Sequence, residues 1–102
     1  MKRFNLVVES YAENDIEEAY KWYENQQIKL GKAFWEEVLS TLIKIQDNPF
    51  LFQKSYRNTR RAMVRKFPYG IYYTVSREEG LIQVIAVLHF KRSRRVITPR
   101  IH

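Results

Sequence analysis

The fold is decided by the stretch RKFPYGIYYTVSREEGLIQVIAVLHF, Arg65 to Phe90. Two runs within it, YGIYYTVS and LIQVIAVLHF, are rich in β-branched and aromatic residues, which suit a pleated, half-buried surface. Between them stands REEG, Arg77 to Gly80, a charged connector ending in glycine, as a hairpin requires. Pro68 has no backbone donor and marks the turn into the first run. The second run is the most apolar segment of the chain, so it is expected at the centre of a sheet. A period of two places Leu81, Gln83, Ile85, Val87 and His89 on one of its faces.

Upstream, TRRAMVRKF has the alternation of a further strand, with Arg61, Met63, Arg65 and Phe67 on one face and Ala62 and Val64 on the other. FLFQKSYRN, Phe50 to Asn58, has no period and is expected to be a loop. Before it lie two helical patterns. In the first, Ser10 and Glu13 have the spacing of a capping box, and Ala12, Ile16, Ala19, Tyr20 and Tyr23 form one apolar face. Gly31 is the expected break. The second helix starts near Lys32, carries Phe34, Val38, Leu42 and Ile45 as a stripe widened by Trp35 and Leu39, and stops at Asn48-Pro49. The opening KRFNLVV alternates Phe4, Leu6 and Val8 against Asn5 and Val7, which is a strand pattern. The predicted order is β-α-α-β-β-β. It makes an α+β fold, a mostly antiparallel sheet with a helical hairpin on one face, in a single domain over residues 1–102.

Composition narrows the chemistry. With no cysteine among 102 residues, a disulfide framework and a thiolate metal site are excluded, and a reducing cytoplasm is the expected setting. His89 and His102 are the only imidazoles, so neither a metal nor another cofactor is expected. No segment approaches the roughly 18 apolar residues of a membrane span, and the opening residues lack the pattern of a signal peptide. The net charge of +7 is unevenly spread. Residues 9–24 hold Glu9, Glu13, Asp15, Glu17, Glu18 and Glu24 against Lys21 alone, whereas residues 54–66 hold Lys54, Arg57, Arg60, Arg61, Arg65 and Lys66 with no acid. Lys91, Arg92, Arg94, Arg95 and Arg100 add a second acid-free cluster. The positive field of the second half calls for a polyanionic partner. Tyr11, Trp22 or Trp35 on the helical hairpin would offer an apolar docking patch instead.

The element order, the phrase RKFPYGIYYTV and the ending VIAVLHFKR together resemble the RelE/ParE superfamily of bacterial toxins. These are the toxin halves of type II toxin–antitoxin pairs, also called plasmid stabilisation proteins. The resemblance spans nearly the whole chain and is best marked from Arg61 to Arg92. It implies a basic growth inhibitor neutralised by a cognate antitoxin with an acidic or amphipathic C-terminal segment, in a hetero-oligomer. It also implies one of two targets: RelE-like members cleave mRNA on the ribosome, and ParE-like members poison DNA gyrase.

Metal-free RNA cleavage needs a base for the ribose 2′-OH, cations for the phosphate and an acid for the leaving oxygen. The resemblance casts His89 as the acid or base and Arg61 and Arg65 as the catalytic cations. Lys54, Arg57, Arg61, Arg65, Lys91, Arg92, Arg94 and Arg95 form the nucleic-acid or target-binding set. Two departures weigh against a nuclease. Phe90 fills an aromatic slot without a hydroxyl, and Gly70 stands where nuclease members carry an arginine, in Tyr69-Gly70-Ile71-Tyr72-Tyr73. Loss of such a transition-state donor costs on the order of 10²–10³ in rate. A ParE-like inhibitor needs only a rigid, basic, partly apolar surface, so the residues favour that side. A chain that only binds its antitoxin is the third possibility.

Overall fold

The computed structural model describes residues 3–92, 97, 99 and 100. Its elements run β1 (Asn5–Val8), α1 (Ser10–Gln26), α2 (Leu30–Asp47), β2 (Lys54–Tyr56), β3 (Thr59–Met63), β4 (Tyr69–Ser76) and β5 (Leu81–His89). The expected α+β architecture is present, with one strand more than the sequence implied. Lys54–Tyr56, in a stretch whose lack of period implies a loop, pairs with β3 as a short edge strand. Three residues with no apolar alternation carry no strand signal of their own. The sheet order is β1-β5-β4-β3-β2, so β4 takes the centre and β5 lies beside it. β1 runs parallel to β5, and the other pairs are antiparallel.

The hairpin of α1 and α2 covers one face of the sheet. Ala12, Ile16, Ala19 and Tyr23 meet Phe34, Val38, Leu42 and Ile45 over Ala62, Ile71, Tyr73, Ile82, Val84 and Val87. Tyr20, Trp35 and Leu39 were expected in this core but stay substantially exposed, because the helix faces that pack are narrower than their apolar stripes. The expected capping box does not form. Glu9 is the cap residue of α1 without a side-chain bond, and its carboxylate instead accepts from Gln83 Nε2 at 3.0 Å.

Gly31 does not break the helices; it lies buried inside α2. The turn is made by Lys29, in the left-handed region at φ 75°. Glu24 of α1 accepts from the backbone N–H groups of Lys29 and Gly31, both at 3.0 Å, and so satisfies orphan donors at the start of α2. A β-carbon at Gly31 would stand 2.7 Å from the Tyr20 carbonyl oxygen, so this glycine permits the helices to approach closely.

Strand β3 ends at Met63, earlier than its sequence alternation implied. Arg65 and Lys66 form a turn, with Lys66 at φ 71°, and Phe67 crosses to the helix side to pack on Tyr23 and Phe34. Arg65 and Phe67 therefore do not share a strand face with Arg61. A second correction concerns β5. Tyr72 pairs with Ala86 and Tyr73 with Val84, which leaves Ile85 as an extra residue. Past this bulge the alternation is shifted by one. Val87 joins the helix-side core, and Ile85, Ala86 and Leu88 gather on the other face with Tyr72 and Ile97. Leu81, Gln83, Ile85, Val87 and His89 thus do not lie on one face.

β1 pairs with β5 only as far as Val84, and beyond it the edge of β5 has no neighbouring strand among the described residues. Side chains take its place. The Asp15 carboxylate accepts from Val87 N–H at 3.1 Å, and the Arg100 guanidinium donates to the Ile85 carbonyl at 2.9 Å. These two side chains also pair with each other, at 2.7 Å and 3.3 Å. Backbone groups that would otherwise attract another strand are thereby satisfied.

Candidate functional site

The face away from the helices is laid out by strand register. Met63, Gly70 and Leu88 stand in one row, and Arg61, Tyr72 and Ala86 in the next. Thr74 and Gln83 are paired in a third. Arg61 is exposed, and its guanidinium carbon lies 5.8 Å from the centroid of the Phe90 ring. Gly70 opens space for it. A β-carbon at Gly70 would stand 3.0 Å from Arg61 Cγ, 3.1 Å from its Cδ and 3.3 Å from Tyr72 Cε1. The Arg61 stem therefore lies across the position where a side chain at residue 70 would begin. Around Arg61 this face is apolar, with Met63, Leu88 and Ala86 beside it, whereas its other end, at Thr74 and Gln83, opens on a cleft that Arg57, Arg100 and Glu9 also line. It also holds the buried Tyr72 hydroxyl, which has no hydrogen-bond partner among the described residues.

His89 lies elsewhere. After the bulge it shares the helix side with Val87, and its ring meets Tyr69 edge-on at 5.4 Å. Lys91 N–H donates to His89 Nδ1 at 3.1 Å, so this nitrogen is an acceptor, and Arg92 N–H donates to the His89 carbonyl at 2.9 Å. His89, Tyr69 and Arg92 line a groove of about 550 Å³ against α1, whose wall is Asp15, Glu18 and Trp22. Burial pushes the Tyr69 phenol above its ordinary value; the Arg92 charge opposes this, and Asp15 and Glu18 add to the rise.

The remaining site residues are dispersed. Arg65 sits in the β3–β4 turn. Lys54 is exposed on β2, and Arg57 occupies the β2–β3 turn at φ 51°, its guanidinium 5.5 Å from the Tyr56 ring centroid. Lys91 and Arg92 are exposed just past β5. Arg94 and Arg95 lie outside the described residues. Of the three catalytic candidates, Arg61 faces away from the helices, His89 faces them, and Arg65 is on neither strand face.

Two elements of the site gave little signal in the sequence. Trp22 forms a groove wall and is 58% exposed, but in the sequence it is one aromatic among several on an amphipathic helix. Arg77 looked like ordinary hairpin polarity, yet its guanidinium carbon lies 4.0 Å from the Phe50 centroid, in a cleft with Lys54 and Arg60. Among the described residues no group of three or more His, Cys, Asp or Glu could hold a metal ion, and no helix is long and apolar enough to cross a membrane.

A family model described as the ParE toxin of type II toxin-antitoxin system, parDE, matches residues 6–94. Among solved structures the chain is similar to the free state of an E. coli toxin RelE mutant that carries two arginine-to-alanine changes. The similarity has a TM-score of 0.67 and 16% sequence identity, and covers 96% of this chain and 92% of that one. At that identity the likeness concerns the fold. No curated protein matches the chain.

Proposed function

Because the chain belongs to the family of ParE toxins of type II toxin–antitoxin systems, we propose that it inhibits growth by binding DNA gyrase, without nucleolytic chemistry. Membership of a toxin–antitoxin family implies an antitoxin as its partner. The observation that carries the gyrase reading is the composition of the face away from the helices. Gly70 supplies no cation, the Arg61 stem covers its position, and the imidazole of His89 belongs to the opposite side of the sheet. A phosphodiester laid beside Gly70 would meet the Arg61 guanidinium and, among the described residues, no imidazole to act as acid or base. An apolar surface with one cation is suited to docking on a protein, where apolar contact and an arginine anchor dominate binding.

The ribonuclease reading rests on a different place, the groove where His89, Tyr69 and Arg92 come together. Glu18 lines that same groove, and its charge opposes the approach of a phosphodiester, whereas Asp15 beside it is paired with Arg100. The decisive assay uses the purified chain twice, once with gyrase and supercoiled DNA and once with ribosomes programmed with mRNA. Gyrase inhibition with intact mRNA is the expected result. Cleavage of mRNA within codons, abolished by His89→Ala, would replace the proposal with the nuclease. Inactivity in both assays, with antitoxin binding retained, would make the chain a toxin that has lost its activity.

A further inference from the structure

On the helix side of the sheet, the loop that follows α2 meets β2, β3 and the end of β4. A cleft of about 470 Å³ opens there, lined by Phe50, Lys54, Asn58, Arg60, Val75 and Arg77. Three of these side chains are cations and none is an acid. The ion pairs formed among the described residues are Arg3–Asp47, Lys21–Glu17 and Arg100–Asp15, so none of the three cations is neutralised within the fold.

The cluster is held in place. Arg60 points to the helix side of β3, opposite Tyr73, and its Nη1 donates to the carbonyls of Phe52 at 2.7 Å and Phe50 at 3.4 Å. Both bonds use one nitrogen, which leaves Nη2 and Nε for an external acceptor. The Phe50 ring carries Arg77 at 4.0 Å and Arg60 at 5.3 Å, each within the range of a cation–π contact. Phe50 is itself braced edge-on by Phe4 at 5.9 Å. Two guanidinium groups on one ring repel each other, and an anion between them relieves that repulsion. Asn58 adds amide donors at the rim.

We propose that Lys54, Arg60 and Arg77, grouped around Phe50, form a binding site for a phosphate-rich anion carrying at least two negative charges. Guanidinium forks match phosphate oxygens, and a lysine adds a point charge. A single carboxylate brings one charge to three cations and leaves the cluster under-neutralised. Consecutive phosphates, whether of a nucleotide or of a nucleic-acid strand, match the charge. The cleft lies apart from the Arg61–Gly70–Tyr72 surface, so its failure would leave the gyrase reading untouched, and the reverse holds.

The test is titration of the full chain with inorganic pyrophosphate, followed by calorimetry and by the side-chain N–H resonances of Arg60, Arg77 and Asn58. Saturable one-to-one binding is expected, with those resonances shifting most. Lys54→Gln and Arg77→Gln should each weaken it about tenfold, and Lys32→Gln, which removes the same charge from α2, should leave it unchanged. ATP and a short single-stranded oligonucleotide then separate the two sources. Cleft-dependent binding of ATP alone identifies a free nucleotide, and of the oligonucleotide a strand. Equal weakening in all three variants would overturn the proposal, since it would reduce binding to net charge. Tighter binding of hexaglutamate than of pyrophosphate would overturn it too, in favour of an acidic peptide. The absence of saturation would leave no site.

Discussion

Replacing Asp15 with alanine tests how the unpaired part of β5 is sealed. The carboxylate accepts from Val87 N–H and from two nitrogens of Arg100, and the side chains of Arg100 and Asp15 are only 19% and 12% exposed. Breaking a buried ion pair by removing one partner costs about 3–5 kcal/mol, chiefly because the other charge is stranded. Residual exposure lets water reach Arg100, so the low end applies, about 3 kcal/mol. Unfolding entropy near 2.1 cal/mol/K per residue makes this a fall in Tm of roughly 14 °C for a chain of this length. Urea denaturation gives the free energy directly, and hydrogen exchange at Val87 N–H reports the local effect. Arg100→Ala should cost less, because Asp15 keeps the Val87 bond. The double variant should cost clearly less than the sum of the two, by about 2 kcal/mol. A loss below 1 kcal/mol for Asp15→Ala, or strict additivity, would show that the pair behaves like an exposed one and that the edge is sealed by other means.

Three further outcomes are expected. Tyr72→Phe removes a buried hydroxyl without a partner among the described residues, so stability should hold or rise by about 1 kcal/mol; a loss above that in urea denaturation would mean the hydroxyl is satisfied. Burial holds the phenols of Tyr23 and Tyr69 above 10 and pushes Tyr73 up to about 12, opposed there by Arg60. The unfolded chain therefore loses these protons first, and stability that is complete below pH 10 should fall as pH rises toward 12. Tyr73→Phe should flatten that fall, which ultraviolet titration of phenolate alongside circular dichroism would follow. Arg61→Glu should abolish growth inhibition in cells lacking antitoxin while His89→Ala retains it, with both variants folded by circular dichroism; the opposite pattern would transfer function to the α1 groove.

The fold was largely legible because its core obeys simple periods. Phe34, Val38, Leu42 and Ile45 repeat at helical spacing, and all four are buried. Ile71 and Tyr73 alternate with Gly70 and Tyr72 across β4 as a strand requires. What stayed hidden was whatever depends on another element. β2 is a strand only because β3 lies beside it. Gly31 resembles a helix break, but the approach of α1 makes it an interior contact. The site was less legible than the fold. Arg61 and Arg65 have the spacing of one strand face, and nothing in the sequence announces that Lys66 turns the chain between Met63 and Phe67. Arg77 and Phe50 are 27 positions apart, and only the folded sheet brings them together.

The unpaired Ile85 makes the display of the sheet's far end a matter of parity. With that residue in place, Leu88 stands beside Gly70 on the face of Arg61, and the imidazole of the next residue is directed toward α1. Regular pairing in its place, with Ile85 opposite Tyr72 and every later residue moved along by one, would exchange the two and bring an imidazole to the surface that carries the guanidinium. Two chains of this fold could therefore carry the same histidine at the same place in a sequence comparison and present it on opposite sides. For such chains, the register of β5 against β4 must be established before any catalytic role is transferred between them.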